Sequence, residues 1–328
     1  MDVGLAVAGF FVGIVVGLTG MGGGALMTPV LVLFFGIQPL AAVSSDLVAS
    51  AIMKPVGGFV HLRRGTVHLQ LVKWLVIGSV PSAFCGVLLL RALGSGESVQ
   101  QVVKTALGIA LLVASASLIY KAYTQLAERS RRRAGTVPRT DGAQNQVVTA
   151  RPLPTVIVGI VGGLVVGMTS VGSGSLIIIA LLALYPTLQA SQLVGTDLIQ
   201  AVPLVAAAAL GHLLFGDFQL EVTTSLLIGS IPGVYLGARV SSRAPAGFVR
   251  RALALVLLAS GLKLLGVSNV ALGWTLLAVA LAGPPLWAWV RATHGLPPLA
   301  RPEMKQFRRT KETQQPDEEA KGDPPRVR

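Results

Sequence analysis

The sequence predicts an all-α integral membrane protein. It is built from two inverted repeats, each a Gly-rich broken or re-entrant helix pair plus three transmembrane helices, with one extra C-terminal helix. Three observations carry that prediction. Only 12% of the 328 residues are charged and 52% are hydrophobic, at a mean hydropathy of +0.70, whereas a soluble domain carries about 25% charged residues. The same kind of run, Gly, Ser and Thr inside an apolar stretch, occurs twice, at residues 17–26 and 167–176. The second half also repeats the first at one offset.

The elements follow in order. Crossing a bilayer takes about 20 apolar residues, and segments 40–62, 70–92, 101–122, 190–214, 221–241, 249–266 and 270–290 meet that length. Residues 3–18 and 25–36 flank the first glycine-rich run, and 156–168 and 175–186 flank the second. At 1.5 Å per residue, an eleven-residue helix covers roughly 17 Å, about half of the hydrocarbon core. Each pair reads as a broken helix or a re-entrant hairpin.

The repeat is ordered. At an offset of 150–151 residues, Gln38 matches Gln189, Ser45-Asp46 matches Thr196-Asp197, His61 matches His212, and Gly65 matches Gly216. The run Gly78-Ser79-Val80-Pro81 matches Gly229-Ser230-Ile231-Pro232. Such agreement marks an internal duplication. The organisation expected is a first membrane repeat (1–122), a basic linker (123–155), a second repeat (156–266), an additional transmembrane helix (267–291) and a basic tail (292–328). Linker and tail are expected to be largely disordered by composition.

Charge sets the topology. The net charge is +13, and the basic residues collect in the linker (Arg129, Arg131, Arg132, Arg133), at Arg239, Arg243, Arg250 and Arg251, and in the tail. With hairpins that do not cross, all these segments fall on one side, while Asp217, Glu221 and Glu97 fall opposite. The positive-inside rule then puts linker and tail in the cytoplasm. No recognition motif accompanies the charge, so nucleic acid is excluded as a partner. Anionic lipid at the linker and tail is the partner this charge suits. Trp74, Tyr120, Tyr123, Trp274, Trp287 and Trp289 fit interfacial aromatic belts. The N-terminus lacks the basic region of a cleaved signal peptide. Cys85 is a single cysteine and makes no intramolecular disulfide or zinc motif.

The glycine-rich runs are the candidate substrate site. Paired, interrupted hydrophobic segments in two halves point to a transporter's binding site. Helices that begin inside the membrane offer free N–H groups and a partial positive charge, which favour anions. The candidates are Thr19, Gly22, Gly23 and Gly24 in the first run, and Thr169, Gly172, Ser173 and Gly174 in the second, with further hydroxyls at Ser170 and Ser175. The alternative is close helix packing through small residues. No Gly-Lys-Ser/Thr sequence follows either run, so neither is an NTPase phosphate loop.

Asp46 and Asp197 lie inside hydrophobic spans, where a carboxylate costs about 2.5–3.5 kcal/mol to insert. Each is read as a proton carrier or as a helix cap. Lys54 has no counterpart, since position 205 is Val. It attracts an anion or pairs with Asp46, or it snorkels toward the interface. Gln200, near mid-span, bonds substrate or a neighbouring helix. His61 and His212 fall on opposite sides of the membrane and suit interfacial capping, not a shared metal site. The sequence shows no nucleophile–base pair, no metal-ligand spacing and no catalytic domain, so no enzyme activity and no cofactor is expected.

The runs Gly17-Leu18-Thr19-Gly20-Met21-Gly22-Gly23-Gly24 and Gly167-Met168-Thr169-Ser170-Val171-Gly172-Ser173-Gly174, the Ser45-Asp46 and Thr196-Asp197 pairs and the two Gly-Ser-Val/Ile-Pro runs resemble the TauE/SafE family of membrane transporters. The resemblance covers about residues 3–266. It implies two similar halves and secondary export of a small anion such as sulfite or a sulfonate. The chain departs from the family in its long Arg-rich linker, its basic tail and Lys54. A passive anion channel, and a scaffold or sensor acting through the basic linker and tail, are the alternative functions.

Overall fold

A computed structural model describes residues 2–19, 23–63, 67–94, 96–133, 150–186, 188, 190–240 and 246–294. Among them the protein is all-helical: α1 (Val3–Thr19), α2 (Gly24–Phe34), α3 (Pro39–Arg63), α4 (Leu69–Ala92), α5 (Glu97–Arg133), α6 (Pro152–Thr169), α7 (Leu176–Leu184), α8 (Ala190–Phe215), α9 (Leu220–Val240), α10 (Ala246–Leu264) and α11 (Asn269–Thr293). Six of these, α4, α5, α6, α8, α9 and α11, contain a stretch long and apolar enough to cross a membrane. Together with the apolar composition, this makes the chain a multi-pass membrane protein.

Two boundaries differ from the sequence expectation. α5 runs on to Arg133, because residues 121–133 are mostly good helix formers such as Ala, Gln, Leu, Glu and Arg. The linker is therefore helical in its first third. α6 starts at Pro152, a residue suited to the first helical position. At 18 residues it is long and apolar enough to cross a membrane, longer than the half-length helix expected. α2 and α7, with 11 and 9 residues, are the shortest helices among the described residues, and α1, with 17, also falls short of the spans. Residues 134–149 and the tail beyond His294 lie outside the described residues.

The chain divides into two compact units. The larger holds residues 1–122 and 142–272, and its helices pair in a reciprocal pattern. α1 packs on α9, and α6, its counterpart in the second half, packs on α4. α3 packs on its own counterpart α8. α5 meets its counterpart α10 where Ser115 Oγ donates to the Ala254 carbonyl at 2.8 Å and Gly108 faces Gly261. Corresponding helices run in opposite directions where they meet. Ser44, early in α3, lies against His212, late in α8, and the His68 N–H beyond the end of α3 meets Thr196 near the start of α8.

Small residues make the α1–α9 and α4–α6 seams. Cβ atoms added to Gly159, Gly163 and Gly167 of α6 would strike the carbonyls of Leu75, Ser79 and Ala83, and those added to Gly229, Gly233 and Gly237 of α9 would strike Ala6, Phe10 and Ile14. Four-residue spacing brings the backbones into contact, as in small-xxx-small membrane interfaces. Two apolar clusters fill the unit: Met27, Leu31, Leu107, Leu111, Leu226 and Leu257 in one, and Leu47, Leu71, Leu75, Ile177, Leu181 and Leu204 in the other.

The smaller unit holds residues 123–141 and 273–328. Within it the end of α5 meets the end of α11. Ser130 Oγ donates to the His294 carbonyl at 2.6 Å, and the Tyr123 and His294 rings meet edge-on with centroids 5.7 Å apart.

Candidate functional site

α3 carries Ser44, Ser45, Asp46, Ser50 and Lys54, all buried. This is why α3 is less apolar than its neighbours: its polar residues face the interior and not lipid. Asp46 is fully buried in the eighth position of α3, about two turns from its start, so it does not cap its own helix. Asp197 occupies the same place in α8.

The two glycine-rich segments meet at this level. A Cβ on Gly24, the first residue of α2, would collide with the Ser170 carbonyl. Ser170 ends α6 in the left-handed conformation, with φ 59°, and is the one non-glycine residue with positive φ among the described residues. That conformation costs an L-residue about 1–2 kcal/mol, and glycine is the usual occupant. The hydroxyl accounts for a serine here: Ser170 Oγ donates to Asp46 Oδ2 at 2.6 Å. Thr28 of α2 donates to the same oxygen at 2.9 Å. Asp46 thus joins α2, α3 and the α6–α7 turn.

The second carboxylate has a different set of partners. Asp197 Oδ1 accepts from Gln200 Nε2 at 3.2 Å, and the carboxylate also accepts the Gly174 N–H. Gln200 Oε1 in turn accepts from Ser79 of α4 at 3.3 Å. Gln200 is therefore bonded within its own helix and to one neighbouring helix, α4, the latter being one of the two roles its sequence position left open. Lys54 does not snorkel. Its side chain is buried, its Nζ donates to Ser173 Oγ at 2.6 Å, and both Asp46 and Asp197 act on its charge.

The remaining predicted residues divide. Gly23 precedes α2, and the position a Cβ would take on it faces Asp46, Ser50 and Met53. Gly172 (φ 137°) and Gly174 (φ 95°) form the turn before α7 in conformations that suit glycine. The Thr19 and Thr169 hydroxyls are turned back to their own helices, donating to the Val15 carbonyl at 2.8 Å and the Val165 carbonyl at 2.6 Å. Gly22 lies outside the described residues, as does the side chain of His61.

Sequence reasoning read His212 as an interfacial helix cap; the structure shows what surrounds it. His212 is fully buried. Its Nε2 donates to the Gly167 carbonyl at 2.8 Å, and its Nδ1 lies 2.7 Å from Ser44 Oγ. The ring ties α3 to the end of α6. Beside it, Leu40 and Gly216 form part of the wall of a 1200 Å³ cavity lined also by Gln38, Arg91, Glu97, Lys104 and Asp217.

Thr28 and Ser50 were missed by sequence reasoning. Ser50 follows Asp46 by four residues, so one helical turn puts both on one face. That spacing was a usable signal. Thr28 had none, since its contact depends on how α2 folds back on α3.

Chemically, the cluster offers the N-terminal ends of two short helices, several hydroxyls, one ammonium and two carboxylates. It can hold a small anion against helix ends and a proton or cation against a carboxylate.

A profile of the family described as Sulfite exporter TauE/SafE matches residues 5–264. The chain is 38% identical over 266 residues to the probable membrane transporter protein YjnA of Bacillus subtilis (strain 168), covering 81% of this chain and 100% of the relative. It is 25% identical to the probable membrane transporter protein YdhB of the same organism, covering 78% of this chain and 97% of that one. No solved structure matches the chain. The match spans both glycine-rich turns and both buried carboxylates, and the chain belongs to the TauE/SafE family of membrane transporters.

Proposed function

We propose that the chain is a secondary transporter that exports a small anion (sulfite, a sulfonate or a similar oxyanion) across the cytoplasmic membrane by alternating access. The observation that supports this best is the convergence of both glycine-rich turns, at Gly24 and Ser170, on one buried polar cluster. α2 and α7 both begin there, and a helix start favours anions. Gly23, Gly24, Gly172, Ser173 and Gly174 line the anion's place, and Lys54 adds positive charge. Asp46 and Asp197 are the candidates for the group through which the proton gradient couples.

The opposite directions of corresponding helices support inverted repeats, which rock against each other around a fixed central site in transporters of that design. Linker and tail face the cytoplasm in this reading, by their charge.

The test is flux into proteoliposomes of purified protein, with sulfite, sulfoacetate and sulfate, each with and without a pH gradient. Saturable flux that the gradient accelerates is expected for at least one of them. Flux of none removes the sulfur-anion assignment. Unsaturable flux with single-channel current makes the protein a channel.

A further inference from the structure

The two carboxylates match in sequence but not in surroundings. Asp197 is completed by Gln200 Nε2, by the Gly174 N–H, and by the charges of Lys54 and, more weakly, Lys121. Asp46 is not. Its Oδ2 accepts two hydroxyls, whereas its Oδ1 has no hydrogen-bond partner. Ser50 Oγ is close enough to act on the carboxylate but does not reach it in hydrogen-bond geometry, and is itself without a partner. Both side chains are at most 1% exposed.

These two orphaned oxygens face one spot. A Cβ placed on Gly23 would lie 3.8 Å from Asp46 Oδ1, 3.7 Å from Ser50 Oγ and 3.6 Å from Met53 Cε. The half-site opposite cannot offer the same spot, because the position matching Ser50 is Ala201. Conversely, Gln200 and Lys54, which complete Asp197, match Ala49 and Val205.

A buried carboxylate with one unpartnered oxygen is unstable as an anion. A carboxylate and a hydroxyl oxygen side by side are hard donors, which suit a small hard cation. The helix start at Gly23 opposes a cation with about half a charge, less than the full charge of the carboxylate it touches. The charge that acts on Asp46 is that of Lys54 on its own helix; of the other helices packed on α3, α8 carries Asp197 and His212, the latter against Ser44, and α9 carries Glu221, Tyr235 and Arg239. α2 and the turn 170–175 contain none.

We infer that Asp46 Oδ1 and Ser50 Oγ form a single site for a monovalent cation, a proton or a sodium ion, and that Asp197 carries no such ion because Lys54 already holds its charge. Naming this cation the coupling ion rests on the transporter reading above, but the site itself does not.

The experiment uses full-length purified protein with no anionic substrate. One arm measures binding of radioactive sodium in choline buffer at fixed pH. The other follows the thermal midpoint across pH in sodium-free buffer. Saturable sodium binding, or a pH-dependent midpoint, is expected in the wild type, and Asp46→Asn removes it. Ser50→Ala weakens the sodium affinity by about tenfold or more, the loss of one bond to a charged group, or moves the pH response. Gly23→Ala, whose Cβ fits without collision, fills the spot and weakens the response as well. These two variants decide the matter if Asp46→Asn does not fold. Asp197→Asn keeps the response. A response in neither arm, one that survives Asp46→Asn, Ser50→Ala and Gly23→Ala, or one that only Asp197→Asn removes, overturns the inference. Cation binding with no flux of any anion would instead remove the transporter reading.

Discussion

Ser170 Oγ lies 2.6 Å from Asp46 Oδ2, so a turn of the second half is tied to a helix of the first. The serine holds a left-handed backbone to make that bond. Two effects therefore oppose each other at one residue, and they can be separated. Ser170→Gly relieves about 1 kcal/mol of backbone strain and loses a bond to a charged group worth about 1.5–3 kcal/mol. Ser170→Ala loses the bond and keeps the strain. Both variants should be less stable than wild type, and alanine should be the worse. Thermal unfolding in detergent checks the order. Equal stability of the two would show that the left-handed conformation does not persist.

Lys54 is the one cation deep in the cluster whose position has no counterpart in the second half. Removing it leaves Asp197 with the weaker influence of Lys121 and its hydrogen bonds. Lys54 is bonded to Ser173 and acts on Asp197 through its charge, so its loss leaves a buried carboxylate less well compensated, at a cost of about 1–3 kcal/mol or more. Lys54→Met should thus be destabilising, and Asp197→Asn in addition should recover part of the loss. The double-mutant cycle should return a coupling of roughly 1–3 kcal/mol. A cycle that closes at zero would mean that the two charges do not sense each other.

The glycine-rich runs, the duplicated Asp positions and the seven long helices were legible in the sequence because each interrupts or completes a simple apolar pattern. What was not legible depends on contacts between distant parts. Thr169 and Ser170 are adjacent hydroxyls of similar chemistry, and only the left-handed turn at Ser170 decides which one leaves the helix. His212 sits among Leu and Ala near a helix end, which looks interfacial. Its burial depends on a carbonyl at Gly167, 45 residues away. The extension of α5 was missed because its charged residues resemble a linker by composition while still favouring a helix.

The glycine seams should be more sensitive to a single methyl group than any lipid-facing position. A Cβ at Gly229 collides with the backbone of Ala6, and backbone cannot turn aside as a side chain can. Overpacking of this kind costs about 1–3 kcal/mol or more. Gly273→Ala is the control, since nothing lies within 4 Å of its Cβ and alanine favours a helix. Gly229→Ala should lower the melting temperature and Gly273→Ala should leave it unchanged or raise it. Equal effects would mean that helix propensity, not packing, governs both.

His212 lies behind Gly216, a residue of the 1200 Å³ cavity wall, and bonds the Gly167 carbonyl near the end of α6. Gly216, in the cavity wall, sits directly against the ring and against Ser44 Oγ. With the ring in place Ser44 is wholly buried. His212→Ala should open a path from the cavity to Ser44, at a cost of about 1–3 kcal/mol for each polar group left unpaired. A thiol at position 44 reports the opening directly. In a Cys85→Ser background, Ser44→Cys should resist a membrane-impermeant thiol reagent and become reactive once His212→Ala is added. His212→Gln, which still offers a donor to the Gly167 carbonyl, should give an intermediate rate. Equal labelling of the thiol with and without the histidine would place the barrier elsewhere in α3 and leave the ring a purely structural tie between α3 and α6.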